Sequence, residues 1–141
     1  AEWAKIQADP SLIPTMVSET IRWQTPVIHM RRTATADAEL PGEQVKAGDK
    51  VVLWYVSGNR DEGVFEDADA FRVGRKNARR HLAFGAGVHR CVGDQLAEQQ
   101  LRILWEEVLR RDMRYEIIEE PERTYSNFIR GFSTMMVRTL P

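Results

Sequence analysis

The chain contains one cysteine, Cys91, which lies in the glycine-rich segment Phe84-Gly-Ala-Gly-Val-His-Arg-Cys-Val-Gly93. The long helix predicted immediately after this segment would present unpaired N–H groups and positive potential, which favour an anionic sulfur. Glycine at positions 85, 87 and 93 lets the backbone approach a flat, bulky group closely. The pattern therefore indicates a reactive or ligating thiolate held in a tight turn.

Three other roles of Cys91 have to be compared with ligation by a thiolate. A lone cysteine is most often a small buried hydrophobic residue, and this reading is weakened by the glycine-rich surroundings. A zinc site is disfavoured because it takes four ligands, usually with paired cysteines or histidines. A nucleophilic pair with His81 or His89 stays open, although His89 lies only two positions from the cysteine and no carboxylate is placed to orient it.

The elements that position this segment can be predicted from periodicity. Met16, Val17 and Ile21 recur at helical spacing after Pro14, so we expect a helix that ends near Gln24. Residues 27–56 change to extended runs broken by Pro-Gly and Gly-Asp turns, and residues 51–56 are the strongest strand candidate. This region predicts a small antiparallel sheet.

The second half of the chain begins with an irregular stretch. Residues 57–90 are punctuated by glycine and contain two of the three histidines, which indicates a functional loop. Apolar residues then repeat at three and four positions and predict a helix; they are Ala97, Leu101, Leu104, Trp105 and Val108. The tail alternates as in strands at residues 115–118 and 134–137.

Composition sets limits on the partners and the compartment. The 141 residues are 43% apolar and 29% charged with a formal net charge of −1, which fits one globular unit and argues against coating nucleic acid or anionic lipid. One cysteine forms no internal disulfide, and no apolar run approaches the roughly 20 residues of a membrane span. We expect a soluble cytoplasmic protein without membrane insertion, whose sequence here starts inside an element as part of a longer chain.

The segment around Cys91 resembles the cysteine-ligand signature of the cytochrome P-450 superfamily, Phe-Gly-x-Gly-x-His-x-Cys-x-Gly. Two further motifs support the resemblance. Glu19-Thr-Ile-Arg22 is similar to the Glu-x-x-Arg motif on the K helix of that family, and Arg75 in Phe71-Arg-Val-Gly-Arg75 matches the arginine that the family couples to this pair. Taken alone, Glu19 and Arg22 would be an ordinary helix pair.

The resemblance implies haem b as the cofactor, with Cys91 as the axial ligand to iron. It places Phe84, Gly85 and Gly93 in the loop around the haem. It also implies that basic side chains at Arg32, His81 and His89 meet the two haem propionates, since charge-assisted hydrogen bonds to carboxylates are strong. The acid Glu19 and its two arginines would hold the cysteine loop without a direct catalytic role.

The implied fold is α+β and corresponds to the C-terminal part of the mainly helical cytochrome P-450 fold. Its parts are the K helix, small antiparallel sheets, the cysteine-ligand loop, the L helix and a terminal β-hairpin. We expect residues 1–141 to be the haem-binding portion of a single domain. Two stretches are candidates for the substrate pocket or for ordinary core packing, namely Val27, Ile28 and Met30, and Phe128 and Ile129.

One branch of the family resembles the chain more closely, the bacterial alkane-hydroxylating members. The segments that carry this likeness include Arg22-Trp-Gln-Thr-Pro26 and Trp54-Tyr-Val-Ser-Gly-Asn-Arg-Asp61. It implies a haem-thiolate monooxygenase that hydroxylates medium-chain alkanes or fatty acids at the terminal carbon. Electrons would come from NAD(P)H through a ferredoxin reductase and a ferredoxin. The alternative is a non-catalytic haem-thiolate binding or sensor module, and we expect the 141 residues alone to be inactive.

Overall fold

The computed structural model describes residues 2–140, so Ala1 and Pro141, the two ends of the predicted domain, lie outside the described residues. The helices are α1 (Glu2–Ala8), α2 (Ile13–Gln24), α3 (Tyr55–Gly58) and α4 (Asp94–Arg110). Short 3-10 helices occur at Pro10–Leu12, Ala78–Arg80 and Gly87–His89. None of the helices within residues 2–140 is long and apolar enough to cross a membrane.

The strands form four two-stranded antiparallel sheets. In chain order they are β1 (His29–Thr33), β2 (Ala38–Leu40), β3 (Glu43–Val45), β4 (Lys50–Trp54), β5 (Arg114–Ile117), β6 (Glu122–Arg123), β7 (Phe132–Thr134) and β8 (Val137–Leu140). Strand β1 pairs with β4, β2 with β3, β5 with β8, and β6 with β7. The predicted antiparallel sheet between residues 27 and 56 is therefore confirmed as two hairpin-like pairs.

Two predicted strand boundaries are wrong. The strand expected over residues 51–56 ends at Trp54, because Tyr55 begins the one-turn helix α3, which closes with a hydrogen bond from Asn59 N to Tyr55 O of 2.9 Å. The strand expected over residues 134–137 is divided between β7 and β8. Met135 and Met136 lie between those strands, and the carbonyl of Met136 accepts a hydrogen bond from Ile118 N.

The core lies where α1, α2 and the segment around Val73 meet. Its buried side chains are Ile6, Ile13, Met16, Val17, Ile21 and Val73. Helix α4 covers this cluster with Leu101 and Trp105, as its periodicity predicts. Leu104, which the same periodicity assigns to the apolar face, is 53% exposed. Leu104 therefore lies outside the face of α4 that packs on this cluster.

The predicted charged network of Glu19, Arg22 and Arg75 is present and buried. Glu19 and Arg22 are 0% exposed and Arg75 is 7% exposed. The Glu19 carboxylate accepts hydrogen bonds from Arg22 Nε at 2.7 Å and Nη2 at 2.9 Å, and from Arg75 Nε at 3.1 Å. The backbone N–H of Arg72 adds a further bond at 3.0 Å. One carboxylate therefore fixes two guanidinium groups in a dry environment.

The two guanidinium groups hold the irregular segment that leads to the cysteine loop. Arg22 Nη1 donates to the carbonyl oxygens of Asn59 at 2.6 Å and Ala68 at 2.8 Å. Arg75 donates to the carbonyl oxygens of Glu66 at 2.6 Å and Ala70 at 2.9 Å. Carbonyl groups that an irregular segment turns toward the interior need such partners, because no neighbouring strand satisfies them. The network thus takes the place of regular secondary structure over residues 59–70.

The network should make stability depend on pH through Glu19. Burial alone would raise the pKa of Glu19, but the hydrogen bonds from Arg22, the Arg72 amide and Arg75 outweigh it and lower that pKa below its ordinary value of 4.5. A carboxyl group with a lowered folded-state pKa contributes stability that is complete above about pH 4.5. That contribution is lost as the pH falls through the folded-state pKa.

We predict that Glu19→Gln lowers the free energy of unfolding of the full-length protein by about 3–5 kcal/mol at pH 7, since it leaves buried cations uncompensated. Below pH 4.5 the free energy of unfolding should also fall less in the variant than in the wild type, because glutamine does not titrate. Urea unfolding at pH 7 and pH 4 measures both effects. Glu106→Gln, which removes an exposed pair with Arg102, is the matched control and should cost at most about 1 kcal/mol. Equal effects of the two substitutions would contradict the role given to Glu19.

Candidate functional site

A cavity of about 470 Å³ opens beside Cys91. It lies between the end of α2, strand β1, the cysteine loop and α4, and its walls are mainly apolar. The lining residues are Ile21, Pro26, Val27, Met30, Arg32, Tyr55, Ala83, Phe84, Gly85, His89, Cys91, Ala97 and Leu101. Its volume falls in the range of roughly 300–1,000 Å³ that is usual for small-molecule and cofactor sites.

The cysteine loop, residues 82–93, presents the Cys91 side chain as an exposed group at this cavity. The backbone N–H of Cys91 donates to the Phe84 carbonyl at 2.9 Å, which closes the loop at its base. Gly85 has a φ of +73°, and a Cβ there would stand 3.2 Å from the Tyr55 hydroxyl. Glycine is therefore required at this turn both by the backbone conformation and by the close contact.

Gly93 separates the cysteine from α4, where it occupies the N-cap position. A Cβ at Gly93 would lie 3.9 Å from Cys91 Sγ, so a longer side chain at this position would extend into the space beside the sulfur. Arg90, which precedes α4, donates a hydrogen bond from Nε to Oδ2 of Asp94, the first residue of the helix, at 2.7 Å. The arginine also lies over the Phe84 ring at 5.9 Å. Through Arg90, these contacts connect Phe84 near the start of the cysteine loop with the first residue of α4.

Arg32 and His89, which the resemblance assigns to the haem propionates, also line the cavity. Arg32 is set on β1 by its pairing with Val51, and its side chain is exposed, with one hydrogen bond from Nη1 to the Arg31 carbonyl at 3.0 Å. His89 ends the 3-10 helix Gly87–His89 and is exposed. The structure thus brings an arginine and a histidine to the same cavity as the thiol.

His81 has a different placement from Arg32 and His89. It is 3% exposed and is absent from the cavity lining. Its Nδ1 accepts a hydrogen bond from Ala83 N at 3.2 Å, and Nε2 is buried without a partner among the residues that the structure describes. Burial, together with the positive charges of Arg90 and Arg22, lowers the pKa of His81 to about 4. His81 is therefore neutral at pH 7 and packs under the loop, 5.4 Å from the Phe84 ring.

The two stretches proposed for the substrate pocket lie next to each other. Val27 forms an isolated bridge with Ile129, and Ile28 N donates to the Phe128 carbonyl at 3.0 Å. Val27 and Met30 line the cavity, whereas Ile28, Phe128 and Ile129 do not. Phe128 and Ile129 are exposed at 39% and 48%. The structure joins these segments but does not place all five side chains on one wall.

Tyr55 and Asn59 belong to the site and were missed at the level of sequence. Tyr55 lines the cavity and contacts Gly85, and Asn59 is 0% exposed with its Oδ1 accepting a hydrogen bond from Leu82 N at 2.7 Å. The segment Tyr-Val-Ser-Gly-Asn-Arg-Asp is typical of a solvent-exposed turn. Its likeness to one branch of a family marked it as distinctive but carried no indication of burial.

Comparison with known proteins identifies the family. The sequence model of the family described as Cytochrome P-450 matches residues 6–136. The chain belongs to the cytochrome P-450 family. The prediction from the cysteine segment and the Glu-x-x-Arg motif is thereby confirmed.

Individual relatives agree with this assignment. The chain is 46% identical over 140 residues to linalool 8-monooxygenase of Pseudomonas putida, covering 99% of the chain and 34% of the relative. It is 46% identical over 127 residues to a methyl-branched lipid omega-hydroxylase of Mycobacterium bovis, covering 89% of the chain and 29% of the relative. The chain thus spans about a third of the length of these curated relatives.

A solved structure of a cytochrome P-450 of family 153 from Novosphingobium aromaticivorans superimposes with a TM-score of 0.93 at 57% identity. The match covers 97% of this chain and 35% of that one. The predicted fold class, an α+β C-terminal part of the cytochrome P-450 fold, is confirmed.

Members of this family bind haem b, which confirms the predicted cofactor. The described residues fit that group by their chemistry. The soft sulfur of Cys91 lies on an apolar wall suited to a flat macrocycle, and Arg32 and His89 line the same cavity, where they could donate hydrogen bonds to two carboxylates. The assignment of individual residues to these contacts stays a prediction.

The neutral, buried state of His81 leads to a test in the full-length protein. A histidine with a folded-state pKa of about 4 and an ordinary value of 6.5 contributes stability above pH 6.5 that is lost as the pH falls toward 4. We predict that between pH 6.5 and pH 4 the free energy of unfolding falls by about 3 kcal/mol less in His81→Gln than in the wild type, because glutamine does not titrate. Urea unfolding at both ends of the window measures the change.

Ser18→Ala is the matched control for His81→Gln. Ser18 is 1% exposed and does not titrate in this pH window, so its replacement should shift the stability equally at both pH values. A wild-type pH dependence in His81→Gln would show that His81 is not held neutral by burial.

Proposed function

We propose that the full-length protein is a haem-thiolate monooxygenase that inserts one oxygen atom of dioxygen into an unactivated C–H bond. In this proposal the Cys91 sulfur would hold the haem iron, and residues 1–141 are the C-terminal haem-binding part of a single domain. The observation that carries the proposal is the exposed Cys91 side chain on the wall of an apolar cavity that Arg32 and His89 also line. Membership of the cytochrome P-450 family and two hydroxylating relatives support it.

The chain's own residues hold and tune the ligand. Haem, when bound, would supply the dioxygen chemistry, and the Cys91 thiolate would donate electron density to its iron. The Cys91 N–H donates to the Phe84 carbonyl at 2.9 Å, and this bond would hold the base of the loop when the sulfur binds iron. Backbone N–H groups that follow Cys91 would donate to the sulfur and adjust its electron donation. Arg32 and His89 would bind the propionates.

For the substrate we propose a medium-chain alkane or fatty acid that is hydroxylated at its terminal carbon. Apolar Val27 and Met30 on the cavity wall suit an alkyl chain. Ile28, Phe128 and Ile129 are proposed as further pocket residues, supported by the hydrogen bond and bridge that join the two segments. Support also comes from the resemblance to the alkane-hydroxylating branch and from the omega-hydroxylase relative.

For the electron source we propose NAD(P)H through a ferredoxin reductase and a ferredoxin. Exposed basic side chains next to the cysteine loop, such as Arg80, would attract an acidic carrier, and salt would weaken that attraction. We place the protein in the cytoplasm, since an unpaired cysteine ligand is best kept in a reducing compartment. These partners are carried over from the family.

The test of the proposed function is the carbon monoxide difference spectrum of the reduced, haem-loaded full-length protein. Wild type should show the thiolate-type band, and Cys91→Ala should abolish it because the sulfur ligand is removed. Val92→Ala is the matched control, since Val92 is fully exposed beside the cysteine and its loss leaves the ligand in place. A thiolate-type band that persists in Cys91→Ala would contradict the assignment of Cys91 as the sulfur ligand.

A further inference from the structure

Asn59 is a fully buried polar side chain that takes no part in the Glu19 network through its amide and does not line the cavity. Its Nδ2 donates to Thr25 Oγ1 at 2.9 Å, and its Oδ1 accepts from Leu82 N at 2.7 Å. Both ends of the amide are therefore satisfied inside the protein. Because a buried amide is costly to leave unpaired, these two bonds fix the side chain in one orientation.

The Asn59 side chain therefore forms a bridge between Thr25 and Leu82. Its first end, Thr25, has a strained backbone conformation. Thr25 closes α2 with a φ of 44°, a left-handed conformation that β-branched residues rarely adopt. The Thr25 hydroxyl donates to the Arg22 carbonyl at 2.6 Å, so its oxygen faces Asn59 as an acceptor. The strained residue is 0% exposed and directly precedes Pro26 and Val27 of the cavity wall. Such a conformation persists only when its surroundings hold it.

The second end of the bridge is the start of the cysteine loop. Leu82, whose N–H is bound by Asn59, accepts a hydrogen bond from Gly85 N at 2.8 Å through its own carbonyl. Phe84, between these two residues, accepts the hydrogen bond from Cys91 N at 2.9 Å. Hydrogen bonds thus connect the end of α2 through the Asn59 amide to Leu82, and the short backbone stretch from Leu82 to Gly85 carries the connection to the residue that binds the Cys91 N–H.

The backbone of Asn59 is fixed independently of its side chain. Its carbonyl accepts Arg22 Nη1 at 2.6 Å, and its N–H donates to the Tyr55 carbonyl at 2.9 Å. Tyr55, at the other end of the same helical turn, contacts Gly85. Both ends of the turn from Tyr55 to Asn59 therefore lie against the cysteine loop. The Arg22 guanidinium fixes the turn through its hydrogen bond to the Asn59 carbonyl.

We propose that Asn59 is a positioning residue for the Cys91 sulfur, which transmits the fixed geometry of Arg22 and Thr25 to the cysteine loop through Leu82. The inference rests on the proposed haem-thiolate function. Loss of the Asn59 acceptor frees the Leu82 N–H inside the protein and loosens the base of the loop. The sulfur then leaves its ligating position more often, although no residue that touches the haem has changed.

The test compares two replacements of similar size in the reduced, haem-loaded full-length protein. Asn59→Leu removes the acceptor, and we expect a several-fold larger share of the carbon monoxide band that lacks thiolate character, with haem loss about tenfold faster. Asn59→Asp keeps an oxygen for Leu82 and can accept the rotated Thr25 hydroxyl. This variant should return both readouts close to wild type.

Asn77→Leu is the matched control, because Asn77 Nδ2 binds the Val64 carbonyl at 2.6 Å in the neighbouring segment and makes no bond to the cysteine loop. We expect it to lower the free energy of unfolding without enlarging the altered band. An equal share of altered band in Asn59→Leu and Asn77→Leu, or no recovery in Asn59→Asp, overturns the proposal. If the wild-type protein shows no thiolate-type band, the haem-thiolate function itself is contradicted. This outcome distinguishes failure of the proposed function from failure of the role given to Asn59.

If Asn59→Leu does not accumulate as folded protein, Thr25→Val provides the second measurement. It removes the oxygen that holds the amide while Oδ1 of Asn59 still reaches Leu82. We expect the altered band to increase in the same direction but less. A wild-type share of that band in Thr25→Val would contradict a bridge that depends on both of its ends.

Discussion

One buried carboxylate, that of Glu19, is the interaction on which the rest of the structure depends. It pairs with two arginines that are almost fully buried, and those arginines bind the backbone carbonyls of a segment with little regular structure. A buried ion network of this kind is a poor source of net stability, because desolvation offsets most of the attraction. Its use here is geometric, since it fixes a long irregular segment beside the cysteine loop.

The geometry explains how a loop rather than a helix or strand can present the Cys91 sulfur to the cavity. Sulfur, arginine and histidine reach one cavity from β1 and the cysteine loop, and apolar side chains fill the wall between them. Arg32 is placed by the β1–β4 pairing, and Cys91 by the hydrogen bond from its N–H to the Phe84 carbonyl within the loop. The loop is also supported from outside, where the Asn59 amide oxygen accepts a hydrogen bond from the Leu82 N–H.

The sequence predicts those parts of the site in which residue type and spacing carry the chemistry. Cys91, its glycines and the Glu19 network could be predicted because they match a pattern that few sequences satisfy. Helix α2 followed from apolar periodicity. The burial of Asn59 and the turn at Tyr55 could not be predicted, because a short polar turn has the same composition whether it faces solvent or a packed loop. The neutral state of His81 likewise depends on tertiary burial and on charges distant in sequence.

X-ray absorption at the iron edge of the haem-loaded full-length protein tests the central claim most directly, that the Cys91 sulfur is an axial ligand to iron. The account predicts one sulfur scatterer in the first coordination shell of the wild type and none in Cys91→Ala. A wild-type first shell made only of nitrogen and oxygen atoms would contradict it, and Cys91 would then be an exposed thiol beside the cavity rather than a ligand.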